Sequence, residues 1–331
     1  YLNIKLMDKN DSRVIVAIEC LVYNHKPYLR QCLDGFVMQK TNFKFVAVVH
    51  DDCSTDGSQE IIREYEEKYP DIIKPIYEKE NQYSKRDGSL MRIVNKALNA
   101  TGAKFLAFCE GDDCWTDPLK LQKQVDYLNA NESCGLVYSR IDIIDEHSNV
   151  IAHNGKAHEC NFDSLFDDNG IPTLTVCMRM DLNQRYFSNV TINHNWLMGD
   201  LPRWIYTAHE SDLYMIPEIT GSYRVLKNSA SGRASIHSRE IFLLSNIEIC
   251  EYFISFFGYK NKLKQIHYRC IDSLLNLSLD YNQKTVTKPW SKMKEYNIFS
   301  FYLILKYIMV SFSFGRKIYN KLLKFPILIN R

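Results

Sequence analysis

The feature that most constrains this chain is the alternation, through its first half, of short wholly apolar runs with amphipathic stretches, each run closed by a turn. Residues 14–20 form one such run, ended by Tyr23-Asn24-His25, and residues 28–38 follow with Leu33, Phe36 and Val37 at helical spacing. Residues 43–49, rich in Val and Phe, predict a second buried strand that Asp51-Asp52 closes abruptly. Asp56-Gly57-Ser58 opens a helix carrying Ile61, Ile62 and Tyr65, with Asp56 as its N-cap. Residues 72–77 predict a third strand, 90–100 a helix and 105–108 a fourth strand. Asp117-Pro118 starts the next helix in cap-then-proline order, through Leu121, Val125 and Leu128, and residues 136–139 make another strand. Repeated strand–helix–strand units of this kind imply an α/β fold, a mostly parallel sheet covered by helices on both faces. Residues 151–190 are expected to be loop-rich. Past Ser235 the chain turns helical, over 241–257 and 263–277.

Ligands of such sheets bind beyond the carboxyl ends of the strands. Two acid pairs stand at those ends: Asp51-Asp52 and Asp112-Asp113. Neighbouring carboxylates repel, so they call for a cation or a donor-rich ligand. Two readings fit Glu110-Gly111-Asp112-Asp113-Cys114-Trp115. One is a site for a hard divalent ion, which needs only one or two protein carboxylates and leaves room for phosphates. The other is a solvated acidic turn. At the first pair, a strand-tip carboxylate can accept the imide N–H of a pyrimidine ring. Asp56 is better read as turn and cap. Asp51 is read the same way, since one of two adjacent strand-end residues points away from the crevice.

The 331 residues suffice for one large α/β domain with an appendage, and the formal charge of +2 gives no global pull toward nucleic acid. Ten cysteines lack Cys-x-x-Cys spacing and no secretory signal precedes them, so a reduced, cytoplasmic setting is expected, with most thiols in the core. Cys109 and Cys114 flank the second acid pair, but no further Cys or His pair completes a zinc site. His25, His50, His194 and His209 have no ligand spacing to one another and are read as surface or satisfied histidines. Charge is uneven at the end: residues 296–331 carry Lys306, Arg316, Lys317, Lys321, Lys324 and Arg331 and no acid, interleaved with aromatic and aliphatic residues. Lys306 breaks the apolar run short of the roughly 20 residues a membrane span needs. A basic amphipathic helix on the inner membrane face is expected, with docking on the protein body as the alternative.

In order and spacing, the first strand with Tyr23-Asn24, then Asp51-Asp52-x-Ser-x-Asp-Gly-Ser, then Gly-Asp-Asp-x-Trp after a buried strand, resemble family 2 glycosyltransferases as far as Ser231. The resemblance implies a GT-A fold, here over residues 1–234 with a helical region at 235–331. It also implies a metal-dependent transfer from a nucleotide-sugar, UDP-linked by the usual arrangement, with inversion at the anomeric carbon. By the same resemblance Tyr23 and Asp52 contact the base, and Asp112 and Asp113 serve the ribose, diphosphate and a Mn²⁺ or Mg²⁺ ion. Asp200, in Trp196-Leu197-Met198-Gly199-Asp200-Leu201-Pro202, stands where such enzymes place their base; Asp before Leu-Pro is also a good helix cap. Trp196 is assigned to the acceptor side. The acceptor class implied is a glycan or lipid-linked saccharide of surface polysaccharide synthesis.

Some positions depart from the family pattern. Glu110 replaces the Asp that often opens the metal motif, and Tyr223-Arg224-Val225-Leu226 ends in Leu where many relatives have His. Arg203-Trp204 keeps only the last two letters of the processive synthases' Gln-x-x-Arg-Trp, so transfer of a single residue is expected. A sugar-nucleotide pyrophosphorylase would need a glycine-rich loop where residues 21–30 have no glycine, and a dinucleotide oxidoreductase would need Gly-x-Gly-x-x-Gly. The remaining rival is a glycan- or nucleotide-binding relative that keeps the fold without turnover.

Overall fold

The structure is a computed structural model that describes residues 13–155, 157–226 and 235–312. The chain divides into two compact units. One holds the described residues up to His194 together with Arg203–Val225; the other holds Asn195–Pro202 and the described residues from Leu226 onward.

In the first unit, β1 (Val14–Val22), α1 (Lys26–Val37), β2 (Lys44–Asp51), α2 (Ser58–Lys68), β3 (Ile73–Tyr77), α3 (Ser89–Ala100) and β4 (Phe105–Phe108) follow the expected alternation. β5 (Cys114–Trp115), α4 (Lys120–Ala130), β6 (Cys134–Ile144), β7 (Val150–Ala152), β8 (Cys177–Arg179), α5 (Met180–Asn189), α6 (Leu201–Glu210) and β9 (Asp212–Arg224) complete it, α6 starting in the second unit. The nine-stranded sheet runs β3-β2-β1-β4-β8-β6-β9-β5, with β7 beside β6. Its first four strands are parallel as expected. Beyond β4 it is mixed: β8 is antiparallel to β4 and β6, β6 is parallel to β9, and β5 and β7 are antiparallel to their partners.

The parallel strands are apolar on both faces because helices cover both. Ile18, Cys20, Ala47, Val49, Phe105 and Ala107 are buried in a core shared with Leu29, Leu33 and Phe36 of α1 and Ile61 and Ile62 of α2. α1 comes unusually close. A Cβ at its Gly35 would stand 3.0 Å from the Trp115 backbone nitrogen, so any larger residue would push this helix a few tenths of an ångström off β5. Trp115 locks the junction by stacking edge-on against Phe36 at 4.9 Å and donating its indole N–H to the Leu174 carbonyl at 2.6 Å. All ten cysteines are thiols outside any disulfide and nine are buried, in keeping with thiols used as core residues. The stretch expected to be loop-rich contains β8 and α5.

The second unit is helical: α7 (Ile236–Phe256), α8 (Leu263–Asp280), α9 (Pro289–Glu295) and α10 (Phe301–Ser311). Ser235 caps α7 by accepting the Ser238 N–H, and Ser300 caps α10 by accepting the Leu303 N–H. Ile271, Leu275 and Leu279 of α8 share an apolar cluster with Met293, Ile298, Leu303 and Val310. No helix among the described residues is long and apolar enough to cross a membrane. Five of the six basic residues counted in the tail, from Arg316 onward, lie outside the described residues.

Candidate active site

Three strand ends bring the sequence-predicted residues of the first unit together. β1 lies between β2 and β4, with Val22 level with Asp51 and Glu19 level with Phe108. Beyond the strands, Asp52 donates its N–H to the Val22 carbonyl at 2.9 Å and Gly111 donates to the Leu21 carbonyl at 3.0 Å. Tyr23, Asp52 and the Glu110–Asp113 turn thus share one edge of the sheet. Tyr23 is half exposed there.

The turns after β1 and β2 are stitched to each other. Asn24 N–H donates to Ser54 Oγ at 2.9 Å, Thr55 N–H to Asn24 Oδ1 at 2.8 Å, His25 N–H to Ser58 Oγ at 3.1 Å and Lys26 N–H to Asp56 Oδ2 at 2.9 Å. Asp56 also accepts from the N–H and hydroxyl of Ser58, and although burial raises its carboxyl, these bonds hold it below the usual value. The α2 N-cap itself is Gly57 at φ 97°, so Asp56 serves the turn one residue earlier than expected.

The four acids at the strand ends have distinct surroundings. Asp51 is fully buried, and its Oδ2 accepts from Ser54 N–H at 3.0 Å and Gln59 Nε2 at 2.6 Å, in line with a structural role. Asp52 is 4% exposed; its two oxygens accept the N–H groups of Gln82 at 2.6 Å and Tyr83 at 3.0 Å, ordering the loop after β3. Asp113 is buried too, accepting the Arg224 N–H at 2.8 Å, and burial together with the charge of Asp112 pushes its carboxyl well above the ordinary value. Asp112 alone keeps a part-exposed carboxylate, whose Oδ2 lies 3.9 Å from His25 Nε2. Burial lowers the His25 pKa against the pull of Asp112, so at pH 7 the imidazole is neutral and this contact is not an ion pair.

The sequence reading treated Asp112 and Asp113 as equal metal ligands, and burial sets them apart. It also missed two residues that shape the motif. His25 packs on Gly111, where a Cβ would lie 2.8 Å from its Nδ1, which explains the glycine in Glu-Gly-Asp-Asp. The buried Arg224 guanidinium donates to the Asp112 carbonyl at 2.8 Å, the Asp145 carbonyl at 2.9 Å, Ser148 Oγ at 3.0 Å and Gln31 Oε1 at 2.6 Å, and lies 4.5 Å from the Tyr28 ring centroid. Arg224 stands two residues before Leu226 in the altered Tyr-Arg-x-His stretch, so the motif signalled it even though its histidine is absent. Arg203 and Trp204 pack behind the site. Arg203 pairs with buried Glu19 at 3.4 Å, and Trp204 lies edge-on to Phe108 at 5.4 Å.

No group of three or more His, Cys, Asp or Glu side chains among the described residues could hold a metal ion. The part-exposed Asp112 carboxylate fits an ion that draws most of its ligands from phosphate and water, as Mg²⁺ does. Asp200 and Trp196 belong to the second unit. Asp200 directly precedes α6 and its Oδ1 accepts the Leu201 N–H at 2.8 Å. Trp196 lies edge-on to Tyr252 of α7 at 5.2 Å.

Comparison with known proteins gives the fold and the family. The chain is 30% identical over 214 residues to the uncharacterized protein Rv1520 of Mycobacterium tuberculosis, covering 63% of this chain and 58% of that one. It therefore spans less than two thirds of that relative's length. It is 24% identical over 218 residues to the putative teichuronic acid biosynthesis glycosyltransferase TuaG of Bacillus subtilis, covering 66% and 81%. Two solved structures share the fold at 14% identity. One is S. aureus TarS in complex with UDP-GlcNAc, with a TM-score of 0.56 over 93% of this chain and 92% of that one. The other is the mannosyltransferase PcManGT of Pyrobaculum calidifontis in complex with GDP-Man and Mn²⁺, with a TM-score of 0.54 over 95% and 88%. The profile of glycosyl transferase family 2 matches residues 20–187, just over half of the sequence, and the chain belongs to that family.

Proposed function

We propose that the protein is an inverting glycosyltransferase that takes a sugar from a UDP-sugar and delivers it to a glycan or lipid-linked saccharide acceptor in surface polysaccharide synthesis. The observation that carries this reading is the convergence of Tyr23, Asp52 and part-exposed Asp112 on one sheet edge. Tyr23 offers an exposed ring for a base to stack on. Asp52, already fixed by Gln82 and Tyr83, has lone pairs left to accept the imide N–H of uracil. Asp112 would hold a Mn²⁺ or Mg²⁺ ion together with the donor's diphosphate, while Asp113, anchored to Arg224, fixes the turn that aims it. Such an ion, when bound, offsets charge on the leaving diphosphate. Asp200 removes the proton from the acceptor hydroxyl, and Trp196 borders the acceptor. TuaG's name supports the polysaccharide class. TarS is seen with UDP-GlcNAc and PcManGT with GDP-Man, so a guanine donor is the competitor to exclude. The basic tail is proposed to hold the enzyme at the cytoplasmic membrane face. A thermal-shift series of UDP-, GDP- and TDP-sugars with and without Mn²⁺ tests the donor. Stabilisation by UDP-sugars that depends on Mn²⁺ is expected, and stabilisation by GDP-sugars alone would overturn it.

A further inference from the structure

The second unit contains a helix whose polarity is inverted. On α10, Leu303, Lys306 and Val310 are buried, and Leu303 and Val310 join the α8 cluster. On the other side, Phe301, Leu305, Ile308 and Phe312 are 83%, 47%, 49% and 65% exposed. They follow one another at i, i+4, i+7 and i+11, which aligns them in a single stripe. The helix has one charged side chain, Lys306, and it is turned inward. Only 3% exposed, Lys306 donates to Asp272 Oδ1 at 2.5 Å and to the Tyr302 hydroxyl at 3.0 Å. An aqueous face selects the reverse arrangement, with the lysine out and the large apolar side chains in. An apolar medium against the stripe removes that penalty.

We propose that the outer stripe of α10 inserts into the boundary between headgroups and acyl chains of an anionic bilayer. Charge favours a lipid surface over a protein groove. Residues 313–331 follow directly in sequence with Arg316, Lys317, Lys321, Lys324 and Arg331 and no acid, complementary to an anionic leaflet. Apolar insertion and basic attraction add at such a surface. α10 has 11 residues, about 16 Å of helix, which suits lying in the interface and cannot span the core. The proposal rests on the membrane reading of the tail and deepens it by naming the inserted face. It also removes Lys306 from the cations that meet headgroups, since Asp272 already neutralises it.

The test is co-sedimentation of the full chain with vesicles of phosphatidylcholine alone or mixed equally with phosphatidylglycerol. Wild-type protein should bind the mixed vesicles and retain part of that binding at high salt, where exposed charges are screened. Leu305→Glu/Ile308→Glu, at exposed positions that leave the unfolding midpoint unchanged, should bind roughly tenfold or more weakly. Arg316→Gln/Lys317→Gln/Lys321→Gln/Lys324→Gln should weaken binding and flatten its salt dependence. Phe301→Trp, which keeps the stripe apolar, should gain a blue-shifted emission component on vesicles. Equal binding by wild type and Leu305→Glu/Ile308→Glu, with no emission shift, overturns insertion and leaves the electrostatic reading of the tail standing. Absence of wild-type binding to the mixed vesicles overturns both. A self-association that the same double substitution breaks, with vesicle binding unchanged, assigns the stripe to a second copy of the chain and overturns the proposal.

Discussion

The two acid pairs flank β1 from opposite sides, one after β2 and one after β4, yet the same dipeptide serves different ends. After β2 the chain turns directly into α2 and meets the loop beyond β3, and these supply donors to both acids: Ser54 and Gln59 to Asp51, Gln82 and Tyr83 to Asp52. After β4 the Gly111 turn faces β9, which supplies the Arg224 N–H to Asp113. Asp112 is left part-exposed beside a neutral imidazole. Adjacent carboxylates at a strand end thus mark a place where charge is concentrated. Which of them stays open to solvent is decided by the donors that the following segments bring.

The largest effect is expected at a carboxylate outside both pairs. If the strand ends bind and Asp200 does the chemistry, Asp200→Asn should retain donor and metal affinity while turnover falls by about 10²–10⁴-fold. Calorimetry and steady-state rates separate the two quantities. Near-normal turnover would leave Asp200 only its place at the start of α6, where Asn serves as well as Asp.

A buried cation behind the second pair gives the contrast in opposite sign. Lys120 is fully buried, 4.1 Å from the Trp115 ring centroid, and burial lowers its pKa to about 8 from 10.5. Between those values the unfolded chain holds a proton that the folded protein has shed, so stability rises with pH through that window, by at most about 3 kcal/mol. From neutral to alkaline pH the unfolding midpoint of wild type should rise relative to that of Lys120→Met, while the buried thiols, raised by burial, act alike in both. Parallel profiles for the two proteins would contradict it.

Asp52 accepts two backbone N–H groups and Asn has a single accepting oxygen, so Asp52→Asn should cost about 1–3 kcal/mol. Amide exchange at Gln82 and Tyr83 should quicken with it. Unchanged protection at both amides would mean that Asp52 does not order this loop. The smallest effect belongs to Asp113→Asn, which keeps an acceptor for Arg224 N–H and removes a charge that burial disfavours. Its stability should stay within about 0.5 kcal/mol of wild type, whereas Asp113→Ala should lose about 1–3 kcal/mol by orphaning that N–H. Equal losses in the two variants would show that the charge itself matters there.

The parallel half of the sheet was legible because strands buried on both faces are written as unbroken apolar runs, and β1, β2, β3 and β4 start or end within two residues of the runs that predict them. β9 was not. Pro217, Glu218 and Gly221 make it look turn-rich, and it accommodates the first two in a register shift between Ser139 and Arg140 of β6. β5 and β8 span two and three residues, too few to carry a period. At the site, the sequence located both acid pairs and set Asp51 apart from Asp52, but it did not separate Asp112 from Asp113, because that depends on donors from residues as distant as Arg224. His25 was passed over for the same reason: its neighbour is Asp112 across a turn, at no ligand spacing in sequence.

The central claim is that Asp112, rather than its neighbour, carries the metal-dependent grip on the donor. Titration calorimetry of UDP with Mn²⁺ into Asp112→Asn and Asp113→Asn tests it directly. The account predicts that Asp112→Asn loses the Mn²⁺-dependent part of UDP affinity with its unfolding midpoint unchanged, while Asp113→Asn keeps most of it. Full Mn²⁺-dependent affinity in Asp112→Asn, or its loss only in Asp113→Asn, would contradict the assignment.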